Sequence, residues 1–271
     1  MTWLPGAPRP GTVAGRLFAV VDRTLAAAFG LAGRVRSRRP IHPRGSSFSA
    51  VLTVEPRPGR RYGVPLLDEP GQHPALVRLS RSLGLPPGWP DISGLAVRLP
   101  DVHGAGSSQD LLFIGSGGPP LLRQLIVLAR GRPRWYSTIS VYDLAGRRRL
   151  LGARVLPGAG AVEEGIAVDI WAATRTGAWE RLGTLRTDER LAPAESERLA
   201  FDVTRNTGGA LTPYGPVHAL RHRSYRQAQL VRGVRPGDQV PGHEGSALGS
   251  PAGLGPGEAA AAERAEGPHR V

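Results

Sequence analysis

The sequence predicts an α+β protein: a barrel or sandwich of short strands with one helix before it and one after it. Three observations carry this expectation. Between residues 48 and 203, apolar and polar residues alternate in short runs bounded by Gly and Pro, the pattern of half-buried strands joined by turns. Ahead of that region apolar residues recur at helical spacing, and behind it an arginine-rich stretch has helical spacing too.

In chain order, residues 1–10 are rich in Pro and Gly and form a loose arm. Residues 12–36 read as a helix, because Val13, Leu17, Phe18, Val21, Leu25 and Phe29 fall close to one face. Nine strand-like runs follow at 48–54, 76–80, 95–99, 110–114, 138–142, 150–156, 166–173, 179–185 and 199–203. An apolar helix is expected between them, over 119–129, with proline at its start. A polar helix is expected over 216–232. From residue 234 the chain is Gly, Pro, Ala and Glu with little to bury, a composition that does not fold by itself. The expected organisation is an N-terminal arm and helix over 1–37, one folded domain over 38–233, and a disordered tail over 234–271.

The composition narrows the chemistry. With no cysteine in 271 residues, disulfides, Cys-ligated metals and thiol nucleophiles are excluded. All 35 basic residues are arginine and the net charge is +13. Such a charge suits an anionic partner, yet the arginines are spread over the apparent strands and helices rather than gathered in a run. A solvated surface is therefore expected, with no specific nucleic-acid partner. The apolar stretch from 17 to 31 is broken by Asp22 and Arg23 and is shorter than the roughly 20 residues of a spanning helix. The expectation is a cytoplasmic protein with no membrane span.

Two regions carry candidate chemistry. In the last expected helix Arg221, Tyr225 and Arg232 are four and then seven residues apart, so they share a face. A phenol, with a pKa near 10, ionises only where cations or a metal favour it, and Arg221 supplies a cation one turn away. His218 and His222 form an i, i+4 pair in the same stretch, but no third ligand is evident. Near the start, RRPIHPRG places His42 three residues after Arg39, just ahead of a strand. On the next strand Arg78 and Ser80 are two apart and so point to one face. A serine can orient an imidazole, and arginines clamp carboxylates through forked hydrogen bonds. A pocket of this kind suits a cofactor bearing carboxylates.

The order Arg39-Pro-Ile-His42-Pro-Arg-Gly45, Val77-Arg78-Leu79-Ser80, Pro90-Asp91-Ile-Ser-Gly94-Leu-Ala96-Val-Arg98-Leu99 and Gln109-Asp110-Leu111 resembles the haem catalases and their short relatives. Pro213-Tyr-Gly215, followed by Arg221, Tyr225 and Arg232, is similar to the proximal segment of those short relatives. The resemblance covers about 38–233. It implies an antiparallel β-barrel of the catalase type with flanking helices, one haem b, and peroxide- or hydroperoxide-dependent oxidoreductase chemistry on a small-molecule peroxide or organic hydroperoxide. It further implies His42 as the distal acid/base, Ser80 as its hydrogen-bond partner and Tyr225 as the axial iron ligand. Arg221 would hold that phenolate, and Arg39, Arg78 and Arg232 would neutralise the haem propionates. Oligomers are compatible with this reading.

The chain departs from that pattern in one place. The resemblance implies a distal asparagine where this sequence has Ile114 and Gly115, and aromatic residues where it has GSGGPPLL. Ser116 is the nearest polar side chain that can stand in for the asparagine. The departure points toward slower peroxidase or hydroperoxide-rearranging chemistry. A second reading starts from IGSGGPPLLRQL at 114: a strand end, a glycine-rich turn and a helix, which could cradle a phosphate and make the protein a phosphate-ester or nucleotide-binding module on a catalase-like fold without haem activity.

Overall fold

The computed structural model describes residues 12, 44–57, 59, 61–82, 88–157 and 165–215. The expected helices over 12–36 and 216–232 and the tail from 234 lie outside the described residues, Thr12 apart. So do His42, Arg39, Arg221, Tyr225 and Arg232.

Eleven strands are described: β1 Arg44–Val54, β2 Gly71–Arg81, β3 Asp91–Leu99, β4 Gln109–Ser116, β5 Leu128–Ala129, β6 Trp135–Ser137, β7 Val141–Leu144, β8 Arg147–Val155, β9 Ala167–Ala173, β10 Glu180–Arg190 and β11 Leu211–Tyr214. Eight of them close on themselves in the order β1-β2-β3-β4-β6-β8-β9-β10 and back to β1. Every neighbouring pair is antiparallel. Closure removes the sheet edges that would otherwise invite association. Strands β7 and β11 extend from the start of β8, and β5 pairs with the start of β3.

Alternation decides which side chains fill the barrel. Phe48, Ala50, Leu52 and Val54 of β1 point inward and meet Ala75, Val77 and Leu79 of β2, Leu95, Val97 and Leu99 of β3, and Leu111 and Phe113 of β4. The far wall is Leu151, Ala153, Val168, Ile170 and Leu185. The interior is filled by aliphatic side chains with Phe48 and Phe113 among them, so polar chemistry has to be placed on the outward face.

Three sequence expectations are corrected. The strand expected at 138–142 straddles a break: β6 ends at Ser137, β7 begins at Val141, and Ile139 between them has φ +57°. The break is fixed from outside the segment, because the Thr138 N–H donates to the Leu151 carbonyl at 3.0 Å while the Thr138 hydroxyl donates to the Ser140 carbonyl at 2.8 Å. The helix expected at 119–129 is a single 3-10 turn, Pro120–Leu122, followed by β5. Its backbone bonds to β4 instead, with Val127 N–H donating to the Gly115 carbonyl at 2.9 Å. The strand expected at 199–203 is irregular. Among the described residues, α-helix is confined to Pro65–Asp68 and Pro193–Arg198.

Candidate functional site

The outward face of β1 to β4 gathers the described members of the expected site. In one row across the sheet lie Gly45, Ser80, Gly94 and Ile114; in the next, Ser47, Arg78, Ala96 and Leu112. Ser116 is two residues beyond Ile114 on the same side of β4. Gly45, Ser80 and Gly94 carry little bulk in the first row, while Ile114 and Leu112 add apolar surface. At Gly45 a Cβ would sit 3.0 Å from the Ser80 Cβ and would crowd the Leu79 carbonyl, so only glycine lets β1 approach β2 there.

Arg78 and Ser80 therefore do share a face, as their spacing predicts. Arg78 is 4% exposed, and its Nη1 donates to the Ser196 hydroxyl at 2.9 Å and the Ser47 hydroxyl at 3.5 Å. Those two hydroxyls are themselves 2.8 Å apart. The short helix Pro193–Arg198 thus buttresses the guanidinium from outside the barrel. The Ser80 hydroxyl donates to the Gly94 carbonyl at 3.5 Å, long for such a bond. The buried hydroxyl of Ser116 has no hydrogen-bond partner among the described residues. Unpaired buried hydroxyls are uncommon, and each needs a physical reason. Two strand spacings and a two-residue offset, about 12 Å together, separate Ser80 from Ser116, so the two line one face without touching.

Beside this face, Asp110 serves the architecture. It is fully buried, and both its oxygens accept from Arg98, through Nε and Nη2, at 2.8 Å. It also accepts from the Asp202 backbone N–H at 2.6 Å and the Asn206 amide at 2.9 Å, while Arg98 reaches the Ala200 carbonyl. One carboxylate therefore pins the irregular 199–206 segment to the sheet.

The glycine-rich turn has a different purpose from the phosphate cradle. A Cβ on Gly118 would lie 2.6 Å from Trp135 Nε1, and the Gly118 carbonyl accepts from Trp179 Nε1 at 2.8 Å. Trp135 stacks on Trp179 with centroids 5.3 Å apart, and Trp171 is tilted against it at 6.2 Å. Arg123, 2% exposed, lies 4.3 Å over Trp179 and donates to the Thr174 carbonyl at 2.8 Å. Burial lowers its pKa. Gly118 makes room for an indole ring and Gly117 for the Leu122 side chain, and no long helix follows whose N-terminus could hold a phosphate. The helix that the expected phosphate cradle required is replaced by the 3-10 turn Pro120–Leu122.

Spending the turn on tryptophans leaves its aliphatic sequel outside. Leu121, Leu125, Ile126 and Leu128 are exposed, with Leu121 at 84%. The Ile126 backbone bridges to Ser116, so an apolar strip runs directly beside the unpartnered hydroxyl. Sequence reading missed Ser47, Ser196 and the tryptophan cluster. The serines gave no usable signal, being 149 residues apart; the tryptophans gave a weak one, as large aromatics following a run of glycines.

No protein-family model and no curated protein matches the sequence. Among solved structures, a fungal catalase superposes with a TM-score of 0.53 at 12% identity, covering 87% of this chain and 67% of that one. The fold is catalase-like. A bacterial catalase superposes at a TM-score of 0.49 and 14% identity, covering 96% of this chain and 70% of that one. At such identities the likeness is one of fold, and a fold hosts more than one chemistry. Among the described residues there is no group of three or more His, Asp or Glu able to hold a metal ion, and no helix is long and apolar enough to cross a membrane.

Proposed function

We propose that this chain binds one haem b against the outward face of β1 to β4 and serves peroxide- or hydroperoxide-dependent oxidoreduction. The observation that carries the reading is the catalase-like barrel whose outward face over β1 to β4 holds Arg78, Ser80 and the unpartnered buried hydroxyl of Ser116 together. These residues fit the group: a planar macrocycle needs an open face of small and aliphatic side chains, and its propionates need guanidinium partners. Haem b, when bound, supplies an iron that exchanges electrons with a peroxide.

The remaining work falls to the chain. The chain enters β1 two residues beyond His42, and in this reading the imidazole would take a proton from a peroxide oxygen and give it back, a role suited to a group titrating near neutrality. Ser80 orients that imidazole. Ser116 donates to the peroxide where an asparagine would have a longer reach. Tyr225 holds the iron as phenolate, with Arg221 four residues earlier favouring the charged form. Arg39, Arg78 and Arg232 neutralise the propionates.

The test is reconstitution. The purified full chain, titrated with haemin, is expected to develop a Soret band at one equivalent. Tyr225→Phe is expected to lose most of that retention with unchanged far-UV circular dichroism. A chain that takes up no haemin refutes the proposal.

A further inference from the structure

A second site lies on another part of the barrel wall. A cavity of about 400 Å³ opens where β7, β8 and β11 meet the turn around Ile139, a size that suits a small ligand. Arg148, Arg149 and Arg175 line it, and among the described lining residues there is no carboxylate to balance them. Its apolar side is formed by Val141, Leu150 and the ring of Tyr214. That ring is fixed in place: the Arg148 guanidinium stacks over it at 4.0 Å and donates to its hydroxyl at 2.9 Å.

Arginines are abundant on this protein, so three around a cavity would mean little alone. Two further features face the same space. Ser140 is 5% exposed, and its hydroxyl has no hydrogen-bond partner among the described residues. Its backbone is already committed, the N–H to the Thr138 carbonyl and the carbonyl to the Thr138 hydroxyl, so the hydroxyl remains available. The adjacent Ile139 has φ +57°, a conformation that a β-branched residue adopts only when its surroundings impose it. Gln124 reinforces it, donating to the Ile139 carbonyl at 2.8 Å. A backbone held against its preference therefore sets Ser140 in the lining of a cationic cavity.

We propose that this cavity binds a small amphipathic anion: an oxyanion head, taken by the guanidinium groups and the Ser140 hydroxyl, on an apolar body lying against Leu150, Val141 and Tyr214. The site goes beyond the haem reading and does not rest on it. The apolar wall favours an organic carboxylate over a bare inorganic anion.

Isothermal titration calorimetry on the full chain without added haem tests this, with octanoate and inorganic phosphate as separate probes. Octanoate is expected to bind saturably at one site and at least ten-fold tighter than phosphate. Arg148→Gln, Arg175→Gln and Ser140→Ala are each expected to raise its Kd by about ten-fold, the scale of one lost hydrogen bond to a charged group. Arg175 is exposed and outside every strand, so its variant keeps the test valid should Arg148→Gln fail to fold. Absence of saturable heat with octanoate, or an unaltered Kd in Arg175→Gln and Ser140→Ala, overturns the site. Phosphate binding as tight as octanoate overturns the apolar half. Haemin uptake is read separately on the same preparation, so either reading can fail while the other stands. Haemin that competes with octanoate would overturn the separateness of the two sites.

Discussion

Replacing Asp110 by alanine is expected to lower folding stability by about 3–5 kcal/mol. Its carboxylate is fully buried and receives four hydrogen bonds: two from Arg98, one from the Asp202 N–H and one from the Asn206 amide. The Arg98 side chain is only 12% exposed. Alanine would leave a largely desolvated guanidinium without its counter-charge and two neutral donors without an acceptor, the situation in which breaking a buried pair is expensive. For a domain of 150–250 residues each kcal/mol lowers Tm by about 2–4 °C, so the expected drop is about 6–20 °C. Thermal and urea unfolding followed by circular dichroism would measure it. The double variant Arg98→Met/Asp110→Leu is expected to recover part of the loss, because it removes the stranded charge. Recovery stays incomplete, since the Asp202 N–H and Asn206 amide remain unserved. A loss below about 1 kcal/mol for Asp110→Ala would refute the claim that this carboxylate pins the 199–206 segment.

Other consequences are open to measurement. Burial, with a 2.5 Å hydrogen bond to Glu180, pushes Tyr62 up to about 12, and burial does the same to Tyr136. Both groups have a folded pKa above the unfolded value of 10, so the stability they contribute is complete below pH 10 and is lost as pH rises through about 12. Absorbance at 295 nm should accordingly show tyrosine ionisation that continues well above pH 10, and complete ionisation near pH 10 in the native protein would contradict this. Gly118→Ala places a methyl against the Trp135 indole, so a loss of about 1–3 kcal/mol and a shift in tryptophan emission are expected. Ser196→Ala removes a hydroxyl from the buried Arg78 guanidinium. It is expected to cost about 1.5–3 kcal/mol in chemical denaturation, and no loss would mean that the bond from Arg78 to Ser196 is not needed to hold the guanidinium.

The barrel was legible where one strand decides its own fate. Phe48, Ala50, Leu52 and Val54 alternate with Ser49, Val51 and Thr53, and period two with one aliphatic face has few alternative structures. Residues 138–142 misled because Thr, Ile, Ser, Val and Tyr all favour strands; the break at Ile139 is imposed by Leu151, which no local pattern reports. Residues 119–129 misled for another reason. An apolar run was expected to be buried as a helix, yet the indole cluster takes the packing space and Leu121, Leu125 and Leu128 are left exposed. At the candidate site, Arg78 and Ser80 were legible as an i, i+2 pair on a strand. Ser47 and Ser196 were not, because their meeting depends on how a distant helix lands on the closed barrel.

The arginine excess also takes on a structural meaning that composition could not supply. A closed eight-stranded barrel fills its interior with aliphatics, so buried carboxylates must lie on the outward face and be covered there. Arg98 covers Asp110 with a two-pronged contact, and Arg154 and Arg181 converge on the buried Asp169 at 3.2 and 2.9 Å. Arg154 at the same time lies 5.0 Å over the Trp171 ring, as Arg123 does at 4.3 Å over Trp179. Each of these positions needs a planar fork, a stackable cation or both, and a lysine ammonium offers neither. The charge of these four arginines is thereby tied to partners within the fold. Where guanidinium groups instead surround a space with no carboxylate among the described lining, as at Arg148, Arg149 and Arg175, the same chemistry calls for an anion from outside the chain.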